Sequence, residues 1–521
     1  MKKFIERFSN LVKGTITGFD RIVFKGFILP LMSASGAMQF CGTNGILNKN
    51  YKNWMVEQSA SISKAADDYG KKHCGRGVIH LPTWRIRKEE MAHDQQRSGQ
   101  IESGLIGVWS CLEAASSYRA RYCEKSGYPQ LRNYRTRCKH LYFYFDHEDY
   151  GFMNIRLQTW FPYNIQICLN GREWLRRSLE RIDLDFLAQT NKFLHISDYE
   201  QAQAFLNKQL DVRFTKILNG FVPIVFPMMK EVLGPHLSYY WTMWQSEWAT
   251  DLIFPSPAAL NSIMDSLLRH AHMTGTSTQV LRYLDRPVTL AGKPDARSKD
   301  QVITRLTDFN DGIRVRHWVD KNSVKVYNQQ NVLRVETTIN NPGKFRVFRH
   351  KNGQSIDDEK TRLPMRKGVV DIPLRAKISQ EVNDRFMNDL STLQDQTPAR
   401  NFIDQITRHQ KQNGRRFRAL DPTGKDRELL QSLSNPEFRI SGLANKMLRQ
   451  SLSSAEFGKG ITQKQLSAKI SRHLRLLRVH GLIRKLPKQN RYQLTLKGVK
   501  MTNILNAFLA ASTEQLIKMA A

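Results

Sequence analysis

From Phe457 to Thr513 the chain carries twelve Lys and Arg and not one Asp or Glu. A folded unit with that balance repels itself unless its charges stand apart on the surface or meet a polyanion. The apolar residues say how it can fold. Leu466, Ile470, Leu474 and Leu477 recur at helical spacing between Gln465 and Arg478. Gly481 follows, a residue that tolerates the positive φ with which helices often end. Leu482 to Thr495 predicts two short strands around a basic tip, and a helix follows from about Leu496. Helix, hairpin, helix, with every exposed position basic or neutral, predicts a winged helix laid on phosphates. Lys464, Lys469, Arg472, Arg475, Arg478, Arg484, Lys485, Lys488 and Arg491 are the expected nucleic-acid contacts, with duplex DNA as partner and structured RNA as the alternative.

The same imbalance runs through the whole chain. Its 521 residues carry a formal net charge of +33, which opposes compaction and points to a polyanion. An anionic membrane surface is a poorer partner, because no long uncharged apolar run exists and Lys25 interrupts the most apolar early stretch. Met1-Lys2-Lys3 begins like a signal peptide, but no apolar segment follows in time. A cytoplasmic protein is expected, of unspecified oligomeric state. Six cysteines (Cys41, Cys74, Cys111, Cys123, Cys138 and Cys168) are too sparse for a disulfide framework. Cys123, Cys138 and His140, with Cys111 or Cys74, match no common zinc spacing, so buried thiols are the simpler expectation.

The expected class is α+β: a mixed or antiparallel sheet core, an N-terminal α/β unit over 1–130, a core over 131–395, a linker over 396–422 and the winged-helix domain over 423–521. In the first unit, Phe19–Gly26 reads as a strand. Val78–Leu81, a helix over Arg87–Arg97 and Gly104–Trp109 read as a strand–helix–strand crossover. Arg119–Lys139 reads as a basic connection. Leu141–Asp146, Phe152–Thr159 and Tyr163–Leu169 are at hairpin spacing, and Asn170 can cap the helix after them. Tyr239–Phe254 predicts a long aromatic strand, and Ala258–His272 an amphipathic helix.

Two stretches carry candidate chemistry. In Asn322–Thr337 a four-residue loop, Asn328 to Asn331, would pair Tyr327 with Val332, Lys325 with Arg334 and Ser323 with Glu336. Alternation then places Ser323, Lys325, Tyr327, Arg334 and Glu336 on one face and Val324, Val326, Leu333 and Val335 on the other. In the aromatic strand, Glu247 and Asp251 share a face among Trp244, Trp248 and Phe254. Half-buried carboxylates need a compensating cation. Mg²⁺ or Mn²⁺ is one, held by Glu247, Asp251, Glu336 and Asp20, with Lys325 and Tyr327 completing a catalytic set. An Arg pair is the ordinary structural alternative. Tyr239 and Tyr240 are further candidate nucleophiles, although aromatic strands more often build core. Tyr142, Tyr144 and Tyr163 offer possible stacking positions, with burial under helices the plainer reading. No P-loop, GxSxG, HExxH or GxGxxG stands in a usable context.

Several stretches form a set: Phe19–Val23, Arg156–Pro162, Leu169–Leu175, Ser246–Asp251, Asn322–Tyr327 with Leu333–Asn340, and His480–Lys485. Together they resemble a large family of bacterial proteins of unassigned activity, over nearly the whole chain. Lys325-Val326-Tyr327-Asn328 followed by Leu333-Arg334-Val335-Glu336 is also similar to the paired strands of rolling-circle plasmid and phage replication initiators. That likeness implies acidic residues holding a divalent metal near a nucleophilic Tyr. Asn328 and Gln329 stand where Asp and Lys are usual, and no Tyr immediately precedes the hairpin. The combined expectation is a mobile-element DNA-processing protein: a metal-dependent nuclease, nickase or replication initiator. The alternatives are a non-enzymatic winged-helix regulator or architectural protein, and a structured-RNA-binding protein.

Overall fold

A computed structural model describes residues 1–273, 275–286, 302–309, 312–351, 353–355, 357–391, 399–435, 438, 442–486 and 490–512. Thirteen strands are used below: β1 (Gly14–Phe27), β2 (Ile79–Leu81), β3 (Gly104–Cys123), β4 (Tyr128–His147), β5 (Gly151–Gln158), β6 (Ile165–Asn170), β7 (Phe186–Gln189), β8 (Lys192–Ile196), β9 (Tyr240–Ile253), β10 (Ile303–Phe309), β11 (Gly312–Val319), β12 (Asn322–Gln329) and β13 (Val332–Ile339). All but the β7–β8 hairpin join one 11-stranded sheet in the order β10-β11-β12-β13-β9-β1-β6-β5-β4-β3-β2. The protein is mixed α+β, as its pattern predicts. Among the described residues only β2 and β3 pair in parallel, joined through the expected crossover helix, which spans Lys88–Ser98.

Alternation gives the sheet two unlike faces. Ile22, Phe24, Leu141, Phe143, Ile155, Leu157, Ile165 and Ile167 are buried with residues of the helices Tyr51–Cys74 and Phe214–Val225. Farther across, Val315, Val324, Val326, Leu333 and Val335 are buried with residues of Pro257–Met273 and Ile372–Leu390. Burying each such side chain stabilises the fold by about 1.5–3 kcal/mol. Asn383, on the last of these helices, takes a bond from the Thr337 hydroxyl at 2.7 Å and donates to the carbonyls of Val335 at 3.2 Å and Trp248 at 3.3 Å. That polar clamp fixes the helix over β9 and β13. The opposite face carries smaller apolar clusters around Ile16, Ile253 and Val332 and around Trp109, Cys111 and Tyr144, with polar residues between them.

Three expectations change. The boundary at 130/131 falls within the long β3–β4 hairpin, where Ala120 pairs with Leu131 and Arg119 with Arg132. The supposed basic connection is therefore strand, and residues before and after it share one sheet. The 396–422 linker is structured where described: Phe402, Ile406 and Leu420 enter an apolar cluster with Leu466, Ile470, Leu474 and Leu477. The β12–β13 hairpin turns at Gln330 and Asn331, so Lys325 faces Glu336 and Tyr327 faces Arg334. That register is two residues from the expected one. An even shift leaves every side chain on its predicted face.

Toward the C-terminus, a helix over Gln463–Val479 starts with a capping box between Thr462 and Gln465. It ends before Gly481, at φ +72. Short strands at Ile483–Lys485 and Tyr492–Leu494 and a helix over Leu496–Ala510 follow. Among the described residues no helix is long and apolar enough to cross a membrane.

Candidate metal centre

The centre is assembled where β1, β9 and β13 lie side by side on the second face of the sheet. On β1 the pairing with β9 slips between Phe19 and Arg21, leaving Asp20 as the extra residue of a bulge. Bulges re-aim side chains, and this one brings Asp20 to its neighbours' carboxylates. Glu247 lies opposite Arg21 on one side and Thr338 on the other, and Glu336 faces Ala249. Carboxylate oxygens of Asp20, Glu247 and Glu336 all lie within 4.8 Å of one another. Three hard oxygen donors at that spacing could hold a metal ion. Among the described residues no cysteine–histidine group comes together in this way.

The fourth expected ligand, Asp251, is engaged elsewhere. Its carboxylate takes two bonds from Arg334, Nε at 2.5 Å and Nη2 at 2.9 Å, and lies 3.0 Å from Arg172 Nη2. Asp251 has no exposure, and the two arginines have 2% or less, so the pairs are sealed from water. One Asp between two guanidinium groups is the structural alternative to a metal. It replaces the metal-ligand reading for this residue. Arg334 also reaches Asp20 Oδ2 at 3.3 Å and the Asn191 carbonyl at 2.5 Å.

Tyr327 and Lys325 both serve Glu336. The Tyr327 hydroxyl donates to Glu336 Oε2 at 2.7 Å, and Lys325 Nζ lies 2.7 Å from Oε1. Burial lifts the Tyr327 hydroxyl well above its ordinary range, and the residue is 2% exposed. Tyr327 thus orients Glu336 and is not an accessible nucleophile. Tyr239 is buried with its hydroxyl donating to the Tyr163 carbonyl at 2.7 Å. Tyr144 and Tyr163 are buried as well, so neither can stack on a base.

Electrostatics separates the three carboxyls. Burial, reinforced by Glu336, raises Glu247 from 4.5 to about 7. Burial also raises Asp20, with Arg334 offsetting part of the effect. Glu336 is pushed up by burial, but Lys325, Arg334 and the Tyr327 hydroxyl outweigh it and hold the group below its ordinary range. Shifts of opposite sign among neighbouring carboxyls are the pattern expected where like charges share a site.

Asp20 and Glu247 line a cleft of about 420 Å³, with Arg21, Glu89, His93, Glu173 and Asn191 among its other walls. Asn191, in the β7–β8 turn, donates to Asp20 Oδ1 at 2.7 Å and accepts from Asn170 at 2.6 Å. Asn170 caps the helix Gly171–Glu180 by accepting from the Arg172 and Glu173 amides. Gly171 has to be glycine, because a Cβ there would stand 2.2 Å from the Phe19 carbonyl oxygen. Arg172 and Asn191 are site residues that the sequence pattern does not single out. The one local signal is Asn-Gly-Arg-Glu at a strand end, and only the β1 bulge gives it meaning.

The expected nucleic-acid contacts lie in the C-terminal elements. Lys464, Arg472, Arg475 and Arg478 are exposed on the helix Gln463–Val479, and Arg484 and Lys485 are exposed on the following strand. Arg491 is half-buried. Lys469 is half-buried and donates to the Phe457 carbonyl at 2.8 Å, with its ammonium 4.1 Å from the ring. Its role there is structural. Lys488 lies outside the described residues. Comparison with protein-family models, with curated proteins and with solved structures gave no match.

Proposed function

We propose that this chain is a DNA-processing protein that places Mg²⁺ or Mn²⁺ on Asp20, Glu247 and Glu336 to act on a phosphodiester. In the same proposal its C-terminal region is a winged helix that docks on duplex DNA. The observation that carries the reading is the convergence of the three carboxylates, two of them lining an open cleft, beside cations. A divalent ion in such a cluster can neutralise a phosphoryl oxygen and generate a metal-bound hydroxide. Arg21 is exposed at the cleft, and Arg316, opposite Lys325, is close enough to feel both Glu247 and Glu336. Both are suited to holding phosphates beside the metal.

The winged-helix assignment is supported by order and pairing. Helices Arg427–Ser432 and Asn445–Leu452 precede Gln463–Val479, and Leu443 bridges Tyr492 of the following hairpin. A short strand pairing beside a three-helix unit, with a basic hairpin after the third helix, is how such domains present one helix to the major groove.

One observation favours the non-enzymatic reading. Lys325 and Tyr327 already satisfy Glu336, so the cluster holds together with no added cation. Cleavage assays decide. The full chain should cut single-stranded, duplex or hairpin DNA with Mg²⁺ or Mn²⁺, and Glu247→Gln and Asp20→Asn should abolish cutting while binding persists. Asp251→Asn should instead destabilise the fold by about 3–5 kcal/mol, since it leaves buried guanidinium charge uncompensated. No cleavage with either metal would leave a DNA-binding regulator. A structured RNA that outcompetes duplex DNA at about 150 mM salt would move the partner to RNA.

A further inference from the structure

The β3–β4 hairpin outruns the sheet. β4 pairs with β5 only from His140 to His147, and β2 pairs with β3 only at Trp109–Cys111. Past Glu113 and Cys138 the two strands continue as a pair, to the end where Cys123 faces Tyr128. One face of this arm is anchored. Tyr118 and Leu131 are buried there, and the Tyr118 hydroxyl donates to the Leu31 carbonyl at 2.7 Å. Alternation sends Arg119, Arg121, Tyr128, Arg132 and Tyr134 to the other face. All five are exposed, Tyr128 by 54% and Tyr134 by 41%.

Two features of the arm ask for an anion. Arg119 and Arg132 are directly opposed across the strands, an arrangement that is unfavourable by itself. Between Ala114 and Lys139 there are seven Lys and Arg against one acid, Glu124. The aromatic rings narrow the anion's class. Exposed rings beside guanidinium groups suit unpaired bases, whose faces are open, better than a duplex, whose faces are stacked away. Arg119 already lies over the Tyr134 ring at 5.5 Å. The register also carries this face without a change of side from β4 through β5, β6 and β1 to Glu247 on β9.

We propose that the outward face of the β3–β4 arm binds single-stranded DNA, with Arg119, Arg121 and Arg132 on phosphates and bases stacked on Tyr128 and Tyr134. That this strand leads to the carboxylates rests on the proposed function above. The binding itself does not. The test is fluorescence anisotropy of a labelled oligo(dT) with the full chain in EDTA, which removes any metal-dependent step. Tyr128→Ala with Tyr134→Ala should weaken binding roughly ten-fold or more, and the double Phe variant should restore it. Arg119→Ala with Arg132→Ala should weaken binding and flatten the salt slope by about 0.7 for each phosphate that is no longer neutralised. Duplex affinity should stay unchanged in each of these double variants. Wild-type oligo(dT) affinity in the Ala variants, or equal weakening for oligo(dT) and duplex, would overturn the proposal. So would structured RNA displacing oligo(dT) from the arm. If oligo(dT) binds as described while no DNA is cut with metal, the arm stands and the metal reading fails.

Discussion

Glu247 is the residue on which solution conditions act most directly. Its carboxyl titrates at about 7 in the folded protein against 4.5 ordinarily, so the folded state holds the proton more tightly than the unfolded chain. Its stabilising contribution is complete below pH 4.5 and is lost as pH rises to about 7. The change across that window is on the order of 3 kcal/mol. Asp20, raised for the same reason of burial, acts in the same direction. A cation held by the cluster would reverse the sign, because it would take the deprotonated carboxylates and displace the proton. Thermal unfolding should therefore show a melting temperature that falls between about pH 5 and about pH 7 without metal. Mn²⁺ should raise it at about pH 8 and do little at about pH 5. Glu247→Gln should flatten the metal-free profile and remove the Mn²⁺ response. A wild-type profile that ignores Mn²⁺ above neutral pH would mean that Lys325 keeps the place a metal would take beside Glu336.

Among elements, those with local signals are legible in the sequence and those decided by distant pairing are not. The helix over Gln463–Val479 is readable because its apolar spacing and its terminal glycine agree, and the structure adds a capping box between Thr462 and Gln465. The faces of β12 and β13 are readable because a two-residue period survives an error in the loop. The loop itself is not, since Gln329 looks like a turn residue and pairs with Val332 only because β13 is fixed by β9. Asp20, Glu247 and Glu336 are legible as candidates, whereas the approach of Asp20 depends on a bulge and the loss of Asp251 from the set depends on Arg334 and on Arg172 from another segment. Element logic also gives a test. On the helix Gln463–Val479, Arg472, Arg475 and Arg478 are exposed while Leu466, Ile470, Leu474 and Leu477 are buried. Alanine at all three arginines should leave the melting temperature nearly unchanged. It should weaken duplex binding and reduce the salt slope by about 0.9 for each phosphate left unneutralised. Unchanged duplex affinity would remove this helix from the interface.

Over the whole molecule, charge is divided by depth. Around the candidate site, acidic side chains stand beside basic ones, with Asp20, Asp251, Glu247 and Glu336 set against Arg172, Arg334 and Lys325. Among the described residues the buried charged side chains nearly cancel, six Lys and Arg against seven Asp and Glu, so their positive excess lies on half-buried and exposed groups, including the arm and the C-terminal helix. Surface repulsion is screened over about 8–10 Å at moderate salt, so it should act as a tunable load on stability. Raising NaCl from about 20 mM to about 200 mM should raise the melting temperature as repulsion is screened. DNA at low salt should raise it further, because binding to the folded state alone adds stability by mass action. The two effects oppose each other in combination: salt that screens the free protein also weakens DNA binding. The stabilisation by DNA should therefore shrink steadily as salt rises, and the melting curves with and without DNA should converge. Differential scanning fluorimetry over a grid of salt and DNA concentrations reads this directly. A melting temperature indifferent to salt, with a DNA effect that persists at high salt, would mean that recognition rests on groups other than the basic surface.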